Sequence, residues 1–164
     1  ISSKPDVYAL QRAEKSGIDH CVIAKRDYIT QEEFSTALLK KVQSYQIDMI
    51  VLAGYLSILD ETIIRAYPDR IINIHPSLIP SFCGKGYYGL KVHEAALEYG
   101  VKVTGATVHL VNEIPDGGKI LLQKAVDILP SDTPEVLQQR VMEEAEWILL
   151  PQATEMIAKE IEGK

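Results

Sequence analysis

Cysteine is scarce in this sequence: of 164 residues, only Cys21 and Cys83 carry thiols. They are too far apart for a Cys-x-x-Cys pair and too few for a disulfide framework, so a reducing, cytoplasmic compartment is the expectation. Long apolar runs are missing as well. The longest, from Met49 to Leu59, is interrupted by Gly54 and Ser57 and falls well short of the about 18 to 20 residues that cross a bilayer, which excludes a membrane span there. Positive charge is in deficit, with 17 Lys and Arg against 23 Asp and Glu and a net charge of -6. No basic cluster offsets it, so a nucleic-acid partner is not expected. An initiating Met is also lacking. Ile1-Ser2-Ser3 reads as the end of a strand running into Lys4-Pro5-Asp6, and the natural chain is expected to hold about thirty more residues upstream, one strand, loop and helix of ordinary length.

The residues present, 46% of them hydrophobic, suffice for one domain over 1–164 whose core needs neither disulfide nor metal. Pro5 suits the first turn of a helix that carries Val7, Ala9, Leu10 and Ala13 toward a stop at Gly17. Cys21-Val22-Ile23 reads as a short strand. Thr30-Gln31-Glu32-Glu33 is a capping box ahead of Phe34, Ala37, Leu38, Val42 and Tyr45 on one helical face. Asp48–Gly54 is a continuous apolar run that reads as a parallel strand covered on both faces. A helix over 60–67, with Ile63, Ile64 and Tyr67 inward, precedes a strand over 70–75 that Pro76 ends. The spacing predicts a helix over 90–99 with Val92, Ala95, Ala96 and Tyr99 on one side, then two strands over 101–111 and 119–128 whose short connection makes them antiparallel. Thr133-Pro134 opens a last helix that Pro151 should bend or split. The whole is an α/β domain built on a doubly wound, mostly parallel sheet with an antiparallel edge, a fold that binds ligands beyond the carboxyl ends of its strands.

Asn73 and His75 lie two apart at such a strand end, so both side chains point to one face. An amide N–H beside an imidazole suits acyl chemistry, one group stabilising an oxyanion and the other moving a proton. The alternative is a histidine that only bonds the following loop. Asp116 sits in Pro-Asp-Gly-Gly, where Gly117 and Gly118 permit positive φ and close backbone approach. It reads either as a turn residue bonding its own backbone or as a carboxylate that orients His75 and favours its charged form. His20 and His93 read as surface or packing histidines. His109 alternates with Thr107 and Gly105 and so shares a strand face with them; with His75 and Asp116 it would make a metal site, but no closely spaced ligand pair supports one and no metal is expected. Gly84-Lys85-Gly86-Tyr87-Tyr88-Gly89 lacks phosphate-loop spacing and reads as a mobile surface loop.

Asn73-Ile74-His75-Pro76-Ser77-Leu78-Ile79-Pro80, Thr104-Gly105-Ala106-Thr107-Val108-His109 and Asp116-Gly117-Gly118 together resemble the folate-dependent formyltransferases. With Leu52-Ala53-Gly54-Tyr55-Leu56-Ser57-Ile58-Leu59 the likeness covers essentially the whole chain and is greatest to the purine-biosynthesis branch. The resemblance implies a Rossmann-like fold and transfer of a formyl group from 10-formyltetrahydrofolate, the co-substrate, to the amine of phosphoribosylglycinamide. It further implies that Asn73 and protonated His75 stabilise the oxyanion while Asp116 holds the imidazole. Leu56, Ser57, Ile58, Leu59, Asn73, Asn112, Glu113, Ile114, Pro115 and Asp116 would bind the folate, and Glu146 the ribonucleotide. The stretch before Glu146 is one residue longer than in relatives. Relatives also carry an arginine at the position of Gln31, for which Arg26 or Lys25 are the available substitutes, and they open with a strand and a Gly-rich phosphate loop that have no counterpart here. A formyltetrahydrofolate hydrolase and a non-catalytic folate-binding module remain alternatives, and the assembly expected is a monomer or homodimer.

Overall fold

In the computed structural model of the chain, which describes residues 1–163, the capping box closes as the sequence announces. Thr30 Oγ1 accepts from the Glu33 N–H at 3.1 Å, and the Glu33 carboxylate accepts from the Thr30 N–H at 3.2 Å. The helix they start, α2 (Gln31–Ser44), buries Phe34, Ser35, Leu38 and Val42, while Tyr45 caps its end and stays exposed. It belongs to the first of two units into which the chain's contacts group, residues 1–47 with 55–66. In that unit Ser2 and Val22 form a parallel bridge rather than a full strand pair. Helix α1 (Tyr8–Lys15) starts later than expected, leaving Pro5 outside it. The reason is local: Ser2 Oγ bonds both the N–H and the carbonyl of Lys4, at 3.1 and 2.8 Å, and holds this segment in a bend. Asp60 caps α3 (Glu61–Ala66), which buries Ile63.

The second unit, 48–54 with the chain from 67 onward, contains a four-stranded sheet in the order β1 (Ile50–Leu52), β2 (Ile71–His75), β3 (Val103–Leu110), β4 (Ile120–Asp127). β1 runs parallel to β2, whereas β3 is antiparallel to both β2 and β4. The antiparallel edge is thus wider than the β3–β4 hairpin alone. Nor is β1 covered on both faces, since Val51 is 38% exposed, and in the described sheet the strand has one partner. Ile72, Ala106 and Val108 project to one face and pack with Leu137, Val141, Ala145, Leu149, Ala153 and Ile157. Strand alternation then places Asn73, His75, Thr107 and His109 on the opposite face.

The helices covering the apolar face begin at Thr133, whose Oγ1 accepts from the Val136 N–H ahead of α5 (Pro134–Val141). Asp132 takes a bidentate pair from Arg140 at 2.5 and 2.6 Å and accepts the Leu129 N–H, fixing the turn before the helix. Pro151 does not split the last helix. It lies inside α6 (Trp147–Glu162), and the irregularity falls upstream as a π-helical turn, Met142–Glu146. A proline ring clashes with the carbonyl four residues back, here that of Trp147, and the wider turn ends just before that residue. Helix α4 (Leu90–Tyr99) has the expected bounds, but Val92, His93 and Ala96 are its buried residues and Tyr99 is exposed. Among the described residues no helix is long and apolar enough to cross a membrane.

Candidate active site

Strand register assembles the site. Asn73 pairs with His109 and His75 with Thr107 across β2 and β3, so two residues from each strand meet on the face away from the apolar core. His75, Thr107 and His109 are buried there. Burying such groups costs free energy unless their polar atoms find partners. His75 Nε2 lies 2.8 Å from the Phe82 carbonyl; since a carbonyl only accepts, that nitrogen carries a proton. The other nitrogen, Nδ1, faces Asp116 Oδ2 at 3.6 Å. With Nε2–H committed to Phe82, Nδ1 can donate toward Asp116 only in the imidazolium.

Asp116 arrives on the connection between β3 and β4, which is folded on itself. Asn112 Oδ1 accepts from the Ile114 N–H at 3.0 Å, Asn112 Nδ2 donates to the Gly117 carbonyl at 3.2 Å, and the Gly117 N–H donates to the Ile114 carbonyl at 2.9 Å. The positive φ of this turn falls on Asp116 itself, at 55°, and not on the glycines after it. Those glycines serve close approach instead: a Cβ on Gly118 would lie 1.7 Å from the Leu110 carbonyl oxygen, and one on Gly117 2.6 Å from the Ile114 side chain. Asp116 is therefore not a turn residue bonding its own backbone. Its Oδ2 accepts the Gly84 N–H at 2.8 Å, and its Oδ1 stands 3.5 Å from His109 Nε2. Burial pushes this carboxyl up, but the His109 contact, the Gly84 N–H and the charge of His75 outweigh it and hold Asp116 below the usual aspartate range.

His109 fixes the remaining member. Its Nδ1–H donates to the Leu110 carbonyl at 2.8 Å, so Nε2 accepts from the Asn73 amide at 3.2 Å in the neutral ring and donates toward Asp116 Oδ1 in the imidazolium. One Asn73 N–H is thereby oriented and the other is left for a ligand. His109 is thus an orienting group beside Asp116. Among the described residues no set of three or more His, Cys, Asp or Glu is arranged to hold a metal ion.

Other sequence candidates are placed differently. In the first unit, Leu56 and Ile58 are 62% and 67% exposed while Leu59 is buried. The Gln31 amide donates to Ser35 Oγ and to the Ile58 carbonyl, and so supports that segment; Arg26 is exposed beside Asp27. In the second unit Ile114 is exposed. Glu146 lies on the π-helical turn, where burial raises its carboxyl, and no hydrogen bond or ion pair joins it to Asn73, His75 or Asp116 among the described residues. Gly84 is no mere surface loop residue, being bound to Asp116. His93, read as a surface or packing histidine, is fully buried with Nδ1 unpartnered. Burial, then the charge of His75, lowers its pKa to about 4. No residue type marks the Phe82 carbonyl or the Gly84 N–H in advance, because backbone groups are common to every position.

The chain is similar to known proteins over most of its length. The formyl transferase family model matches residues 1–154. The chain is 41% identical over 145 residues to a chloroplastic phosphoribosylglycinamide formyltransferase of Arabidopsis thaliana, covering 88% of this chain and 50% of that one. It is 40% identical over 157 residues to the trifunctional purine biosynthetic protein adenosine-3 of Drosophila melanogaster, covering 96% of this chain and 11% of that one. It therefore spans half or less of the length of these curated relatives. Among solved structures, glycinamide ribonucleotide transformylase 1 from Symbiobacterium toebii superposes with a TM-score of 0.88 at 40% identity, covering 96% of this chain and 72% of that one. The phosphoribosylglycinamide formyltransferase of Streptococcus pneumoniae gives 0.86 at 31% identity, covering 95% and 83%. On its matched sequence and its shared fold alike, the chain belongs to the formyl transferase family.

Proposed function

We propose that the full protein transfers a formyl group from 10-formyltetrahydrofolate to the amine of phosphoribosylglycinamide, a step of purine biosynthesis. The observation that carries the reading is the Asp116 carboxylate set between His75 and His109, with Asn73 oriented by His109. The substrate amine attacks the formyl carbon, whose oxygen takes up negative charge. A free Asn73 N–H and the His75 imidazolium stabilise that charge. As the new C–N bond forms and the bond to the folate nitrogen breaks, His75 gives its Nδ1 proton to the departing nitrogen and takes up the amine's proton in its place. Asp116 holds the ring and balances its charge.

Leu56 to Leu59 and Asn112 to Asp116 are the proposed folate segments, and Glu146 the proposed ribonucleotide contact. The trio supplies both proton transfer and oxyanion stabilisation, so dialysis against a chelator should leave activity unchanged. Loss restored by zinc would instead favour His75, His109 and Asp116 as ligands. Incubating the full-length protein with formyl-folate, with and without phosphoribosylglycinamide, tests the function itself. The proposal predicts deformylation that requires the ribonucleotide and yields its formylated product. Deformylation without it would identify a hydrolase, and binding without turnover a folate-binding module.

A further inference from the structure

The peptide that leaves His75 returns to hold both catalytic groups. Over Pro76–Gly84 the chain turns so that the Phe82 carbonyl accepts from His75 Nε2 and the Gly84 N–H donates to Asp116 Oδ2, each at 2.8 Å. What anchors the start of this loop is a side chain on the neighbouring strand. The buried Thr107 hydroxyl donates to the Ser77 carbonyl at 2.6 Å and accepts from the Ile79 N–H at 3.1 Å and from Gln123 Nε2 at 2.9 Å. One donated and two accepted bonds use the full capacity of a hydroxyl. Gln123 spends its second N–H on the Ile79 carbonyl, at 3.1 Å. Register makes the three side chains neighbours: His75 is opposite Thr107 on β3, and Thr107 opposite Gln123 on β4. Within the loop the buried Ser77 hydroxyl donates to the Ser81 carbonyl at 2.5 Å, carrying the constraint toward Phe82. Gly105, two residues before Thr107, admits the loop, since a Cβ there would lie 2.9 Å from Leu78 Cδ2 and 2.0 Å from the Lys124 carbonyl oxygen.

We propose that Thr107 and Gln123 are positioning residues for formyl transfer, suspending the Pro76–Gly84 loop so that its backbone sets the His75 ring and the Asp116 carboxylate against each other. The proposal rests on the formyl-transfer reading for its kinetic consequence but not for its structural one. The side-chain bonds of both residues go to the loop and to each other, not to Asn73, His75 or Asp116. Displacing a catalytic group by about an ångström costs on the order of 10²-fold in rate, whereas substrate affinity need not change.

Thr107→Val keeps shape and removes the hydroxyl, Thr107→Ser keeps the hydroxyl, and Gln123→Met removes two donors at an exposed position where folding is undemanding. The ring ¹⁵N resonances of His75, which report its hydrogen bonds, are read in each folded variant alongside kcat and KM. Thr107→Val should displace these resonances and lower kcat by about 10-fold or more, with folate KM within about threefold, while Thr107→Ser stays close to the parent. Gln123→Met should move both readouts in the same direction by less. Unmoved His75 resonances in Thr107→Val and Gln123→Met overturn the proposal, as does a kcat loss without a resonance change. Displaced resonances in a protein whose parent transfers no formyl group would sustain the clamp and overturn the functional reading instead.

Discussion

Strands β1 and β3 lie in one sheet and dispose of their side chains in opposite ways. β1 is three residues of pure hydrocarbon side chain, and its central Val51 is exposed. β3 runs eight residues and buries every one from Thr104 to His109, two threonines and a histidine among them. Apolar character alone therefore does not determine burial here. β3 has partners on both edges, and Thr107 and His109 are buried with their polar atoms engaged by neighbouring backbone and side chains. A buried polar group that keeps its hydrogen bonds escapes most of the desolvation cost. The site draws on this strand, on β2 beside it and on the connection that carries Asp116.

The largest effect expected between the exposed strand and the buried polar face is catalytic. His75→Ala, on the strand that pairs with β3, should lower formyl transfer by about 10² to 10⁴-fold through loss of the proton-transfer group. Val51→Ala should leave turnover unchanged, and a comparable loss from both would dissolve the distinction. His93 is the next test, because it is the buried imidazole whose Nδ1 has no partner. Its folded pKa of about 4 lies below the ordinary value of 6.5, so below pH 6.5 the unfolded chain binds a proton that the folded chain refuses. Stability should be full above about pH 6.5 and fall toward pH 4, by on the order of 3 kcal/mol. Urea unfolding across that window checks it, and His93→Gln should flatten the slope. The smallest contrast is in packing. Val108→Ala should cost about 2 kcal/mol and Val51→Ala less than about 1 kcal/mol, both read from denaturant midpoints.

Features fixed by near neighbours in sequence were legible. The Thr30–Glu33 box and the Thr133-Pro134 start are satisfied within one helical turn, so their residues announce them. Asn73 and His75 were legible as a pair because strand alternation is strict. Asp116 reached the site through tertiary folding of the 112–118 turn, and residue pattern alone left two readings of it open. His93 stood between a surface and a packing reading because a helix face is judged by its apolar members, and the structure gives the packing one, on the buried strip with Val92 and Ala96. The π-helical turn and the Phe82 and Gly84 backbone contacts arise from packing and close approach, for which single residue types give no sign. Within the described residues, β1 has a partner on one edge and an exposed Val51 at its centre, neither of which its three apolar side chains announce.

Asp116→Asn in the full-length protein tests the central claim most directly, since the change removes charge while keeping shape. Formyl transfer from 10-formyltetrahydrofolate to phosphoribosylglycinamide is measured at neutral pH beside the affinity for the folate. The account predicts that turnover falls about 10²-fold or more with folate affinity retained, because an amide cannot balance the positive charge on the ring as His75 moves a proton. Turnover close to that of the parent would contradict it and leave Asp116 as a structural contact of the loop that carries Gly84.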